Sequence, residues 1–177
     1  MRKFLICLMM INIACSRGQA SGTTAAAQTD PQMFLPTAIG DAGADAVISE
    51  LAARRGRLPE TRELGAVTAK TLAAMRDDLA RLAQRRNISG PKQMAEKKVA
   101  LRDNLEILPG QVFDRGYALA MVQDIDALLT KLDAVGSAKD ADLQNVAEKY
   151  RSTLQDHRRD AGRLLSRLGG YPWPTAP

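Results

Sequence analysis

His157 is the single histidine of the chain, and it lies within the series Val146, Tyr150, Leu154, His157, Ala161, Leu164 and Leu168. Steps of three and four residues put such side chains on one face of an α-helix, so the imidazole points toward a core. There it can serve as a base, a metal ligand, or a core group satisfied by a carboxylate or carbonyl. The last use suits the surroundings best. Asp45 falls on or beside the inner face of an earlier helix, and Asp45 and His157 are read as a candidate buried polar pair. Metal chemistry lacks ligands: a metal site inside a helical bundle draws on Glu and Glu-x-x-His side chains from several helices, and no Glu-x-x-His occurs. A nucleophile motif Gly-x-Ser-x-Gly, a phosphate-binding loop and a paired-Cys motif are also missing. No catalytic residue, metal site or cofactor is assigned.

The elements that must position these groups are helices. The longest stripe, Phe113, Tyr117, Ala120, Met121, Ile125, Leu128, Leu132 and Val135, predicts a helix over residues 110–135. At 1.5 Å per residue it is roughly 39 Å long, and helices of similar length must bury it. Asp30-Pro31 opens a first helix with an Asp cap and a Pro in the first turn. Pro36 would kink that helix or delay its start to Thr37. Its apolar face is Phe34, Ala38, Ala42, Ile48, Leu51 and Ala52. A second helix is expected over residues 60–86, with Leu64, Val67, Thr71, Leu72, Met75, Leu79 and Leu82 inward. Turn residues 87–91, with Ser89 as a cap, lead to a shorter helix over 92–108, whose face is Met94, Leu101, Leu105 and Leu108. The last helix runs from about residue 139 or 140 to 168, where Gly169-Gly170 stop it. Two short links around a longer crossover with its own helix give an all-α, four-long-helix bundle over residues 30–170.

The N-terminus reads as an export signal: Met1-Arg2-Lys3, then the apolar run FLICLMMINIA, too short to span a bilayer. Ile13-Ala14-Cys15 resembles a bacterial lipobox, although Asn12 stands where Leu is usual. Residues 1–14 would then be removed and Cys15 lipidated. Ordinary cleavage after Gly18-Gln19-Ala20, removing residues 1–20, is the alternative. Cys7 is discarded either way, so no disulfide pair remains. Residues 15–29 are small and polar and read as a flexible tether, and residues 171–177 read as an extended tail.

The net charge of +5 is modest, and basic residues alternate with acidic ones in RDDLARLAQRR and QDHRRDAGR. With aromatics at 4%, there is neither a single-sign patch nor a stacking platform for nucleic acid.

Taken in order, FLPTAIGDAGADAVISELA, FDRGYALAMVQD and LQDHRRDAGRLL resemble the exported ferritin-like bundles of bacteria grouped as domain of unknown function 4142. Phe34, Asp45 and Leu51-Ala52 match the family's first helix. Phe113, Asp114 and Tyr117 match the Phe-Asp-x-x-Tyr signature of its third long helix. The resemblance implies a ferritin-like bundle with a short crossover helix between the second and third long helices. It also implies an exported, periplasmic location; lipid on Cys15 would then hold the protein to the outer membrane, a destination with which Ser16 after the Cys is compatible. Members carry His on three helices; two of those positions fall here at Leu72 and Ile125, and only His157 keeps the residue. The leading expectation is an uncharacterised envelope protein with a structural or binding role rather than catalysis. The alternative, by fold analogy alone, is a metal-binding or metal-dependent oxidoreductase. An adaptor for a partner helix or small apolar ligand would show an apolar groove left open by a kinked first helix.

Overall fold

The computed structural model describes residues 30–137 and 140–169. The expected signal segment, Cys15, the tether and the tail lie outside the described residues. Within them the chain forms α1 (Pro31–Arg55), α2 (Pro59–Arg85), α3 (Glu96–Ile107), α4 (Gly110–Gly136) and α5 (Ala141–Arg167), with no strand.

Helix α1 starts at Pro31 and runs unbroken past Pro36. The Asp30 carboxylate accepts from the Gln32 N–H at 2.9 Å, which sets the first turn. Helix α2 closes in a left-handed turn at Asn87, where φ is 54° and the Ile88 N–H reaches back to the Ala83 carbonyl at 2.9 Å. Helix α3 begins four residues later than the sequence suggests, and Ser89 does not cap it. Pro91 lies against α1 beside Gly40, so the crossover is seated on the bundle before the helix begins. Asp140 caps α5, accepting from the Leu143 N–H at 3.2 Å. The same carboxylate receives both arms of Arg86, at 2.5 and 2.8 Å, which ties the end of α2 to the start of α5.

The four long helices pack α1 on α2, α4 on α5, α2 on α5 and α1 on α4, each pair antiparallel. Helices α1 and α5 therefore stand diagonally across the bundle. The short helix α3 covers only the α1–α4 face. Every residue of the predicted α4 stripe is buried. The α2 face is buried as expected at Leu64, Leu72, Met75, Leu79 and Leu82, but its first turns are rotated toward Thr61, Gly65 and Thr68, which are buried, while Val67 is 44% exposed. Gly65 explains the turn. A Cβ there would lie 2.5 Å from the Ala53 nitrogen and 2.7 Å from the Ser49 carbonyl oxygen, so the backbones of α1 and α2 meet at this glycine.

Candidate functional site

Among the described residues, two polar constellations interrupt the hydrocarbon. The first lies between α1 and α4, under α3. Asp45, 2% exposed, receives the Lys98 ammonium at 2.5 Å, and Asp124 of α4 receives the same ammonium at 2.7 Å. Two carboxylates thus share one cation, and the second oxygen of Asp124 is buried without a protein partner. Burial raises the Asp45 pKa to about 7, and the neighbouring Asp124 charge adds to the effect while Lys98 opposes it. For Lys98, burial works against the charge, but the two carboxylates outweigh it and its pKa is raised.

One turn further along, the Tyr117 hydroxyl donates to Ser49 Oγ at 3.2 Å, and Ser49 Oγ donates to Met121 Sδ at 3.4 Å. Burial pushes the Tyr117 phenol up to about 12, so it stays a neutral donor. At the end of the layer, Asp114 accepts the backbone N–H groups of Arg57 and Leu58 at 2.9 and 3.0 Å. The signature residues therefore do packing work. Asp114 clamps the α1–α2 turn onto α4, Tyr117 spans α4 to α1, and Phe113 is buried with the Arg55 guanidinium 5.9 Å above its ring.

The second constellation lies between α2 and α5. His157 Nε2 is 2.9 Å from Thr71 Oγ, and that oxygen is also 3.1 Å from the Val67 carbonyl. The Val67 oxygen can only accept, so both contacts are satisfied when the Thr71 proton goes to Val67 and Nε2–H donates to Thr71. Nδ1 then carries the lone pair, and it has no hydrogen-bond partner among the described residues. Burial holds the His157 pKa below its usual value, with Asp160 and Asp156 pulling the other way. The ring lines an open groove of about 630 Å³, floored by Leu64, Val67 and Leu164. Glu60, Glu63, Asp156 and Asp160 stand along it with Arg163 and Arg167.

The expected Asp45–His157 pair is not formed. Asp45 faces α3 and α4, whereas His157 sits on the diagonal helix and bonds to α2. Lys98, the partner Asp45 does have, was legible: it continues the α3 face at Met94, Leu101, Leu105 and Leu108 in helical register, as a charge on an apolar stripe. The groove also differs from the one anticipated, because it opens between α2 and α5 and not beside a kinked α1.

A hydroxyl hydrogen-bonded to an imidazole is the start of a nucleophile–base arrangement. In the arrangement that satisfies both contacts the Thr71 proton goes to Val67, and among the described residues no third group bonds to the ring. Both residues are in mid-helix, where backbone N–H groups are spent on the helix and none is free to hold an oxyanion. Leu72 and Ile125, where the resemblance leads one to look for further histidines, are fully buried among hydrocarbon. Among the described residues, no group of three or more His, Cys, Asp or Glu could hold a metal ion.

The order of helices and the Phe113-Asp114-x-x-Tyr117 start of α4 are now joined by a direct comparison: residues 16–164 match the family described as a domain of unknown function (DUF4142). The chain belongs to that family. No curated protein and no solved structure matches it. Within this DUF4142 domain the signature residues hold helices together, and the one imidazole is left at the groove.

Proposed function

We propose that the protein is a ferritin-like bundle of the bacterial envelope, exported and held to the outer membrane by lipid on Cys15, whose role is binding rather than catalysis. The antiparallel order of the long helices, with the single long crossover between the second and third, supports the ferritin-like reading. One observation carries the binding role: His157 lines the open α2–α5 groove with a ring nitrogen that has no hydrogen-bond partner among the described residues, while on the other face Lys98 is held by Asp45 and Asp124 under α3. A groove with an apolar floor and a few polar groups has the build of a small-ligand site. Among the described residues no helix is long and apolar enough to cross a membrane. Attachment in this reading comes from Cys15.

Expression in a bacterial host with labelled fatty acid tests the anchor. The protein should take up label and sediment with membranes, and Cys15→Ser should lose both properties. Equal sedimentation of the two forms, with no label in either, would contradict it.

A further inference from the structure

The α2–α5 groove offers a ligand acceptors, not donors. In the tautomer that satisfies both Thr71 contacts, Nε2–H donates to Thr71 and Nδ1 of His157 presents a lone pair to the groove, and burial favours the neutral ring. His157 is only 8% exposed and lines the open groove, so a donor entering there can reach the nitrogen that has no protein partner among the described residues. The charges along the rim point the same way. Arg167 is paired with Glu60 at 3.1 Å, and Arg163 with Asp160 at 3.0 Å, so both cations are already balanced. Glu63 has no ion pair among the described residues and remains an available carboxylate. Between these acceptors, Leu64, Leu164 and the half-exposed Val67 form an apolar floor. An anion would meet lone pairs and unbalanced negative charge, whereas an ammonium group would meet complementary ones.

We infer that the groove is a binding site for a small organic ammonium ion with an apolar body, its N–H donating to His157 Nδ1, its charge beside Glu63, and its hydrocarbon on Leu64, Val67 and Leu164. The inference rests on the proposed binding role of this groove and names the chemistry of its ligand.

The single histidine makes the test direct, since ring-labelled protein gives one imidazole signal set. The full chain is titrated with phenethylammonium and, separately, with 3-phenylpropanoate, an anion of similar size. The ammonium ion should shift the Nδ1 resonance saturably, and the anion should bind at least about tenfold more weakly. Glu63→Gln should weaken ammonium binding about three- to tenfold, as for loss of a charged hydrogen-bond partner. Val67→Lys, which adds a cation at an exposed position, should abolish it, with thermal unfolding checking that both variants remain folded. Equal or tighter binding of the anion would overturn the ammonium assignment while leaving the groove a binding site. No perturbation of the ring by either probe would overturn both.

Discussion

The α1–α4 face and the α2–α5 face each bury a polar group at mid-helix, yet they treat it in opposite ways. Between α1 and α4, the crossover helix α3 lays Lys98 across Asp45 and Asp124, and the charges are closed in. Between α2 and α5 no helix lies over the groove among the described residues, and His157 meets it with one nitrogen bonded and one not. A buried charge must be paired where it lies, while a neutral ring at a groove edge can wait for a partner. The lesson is that the crossover decides which polar group is structural and which is available.

The comparison breaks most readily at Lys98. Lys98→Ala leaves two carboxylates facing each other without a cation, and should cost about 3–5 kcal/mol at pH 8 by urea unfolding. The cost should shrink at pH 5, where one carboxyl can take a proton. A loss below about 1 kcal/mol at pH 8 would mean that α3 does not seal the site.

Gly65→Ala probes the α1–α2 contact, which turns α2 and brings Val67 to the groove. The added methyl meets backbone atoms that cannot swing aside, so about 1–3 kcal/mol should be lost. The histidine spectrum should change with it, because the groove edge moves.

Thr71→Val sharpens the other side. It removes the acceptor of Nε2–H, but water in the open groove can replace it, so the loss should be only about 0.5–1.5 kcal/mol. An exposed control on the same helix, Lys70→Ala, should change stability by no more than about 0.5 kcal/mol. A Thr71→Val effect as large as that of Lys98→Ala would erase the distinction between the two faces.

The helices were legible because their stripes are long and regular: α4 was readable to within a residue at its end, and all of its inward residues are buried. The α2 face was misread at Val67 because hydrophobicity alone ranks valine above glycine. Close approach of two backbones selects Gly65 and the small buried residues beside it instead. The Asp45–His157 pairing failed for a different reason. Periodicity tells which side of a helix faces inward, but not which of three other helices it meets, and α1 and α5 are diagonal. Lys98 carried a readable signal, a charge in register with Met94 and Leu101, which is the mark of a buried partner awaiting a counter-charge.

The two faces should also answer pH with opposite signs. Asp45 is raised from 3.8 to about 7, so the folded state holds a proton that the unfolded chain has released. Its contribution to stability is complete below about 3.8 and is lost as pH rises through about 7. His157 is lowered from 6.5, so its contribution is present above 6.5 and is lost as pH falls through its lower folded value. Urea unfolding of the native chain and Asp45→Asn across pH 5 to 8 separates these effects most directly. The native chain should lose stability toward pH 8, by an amount on the order of 1.4 kcal/mol for each unit of pKa shift crossed. Asp45→Asn leaves one ammonium against one carboxylate and should abolish that loss, leaving the opposite, smaller slope of His157. Parallel pH profiles for the two proteins would contradict the sealed charge cluster under α3, and with it the contrast between the two faces.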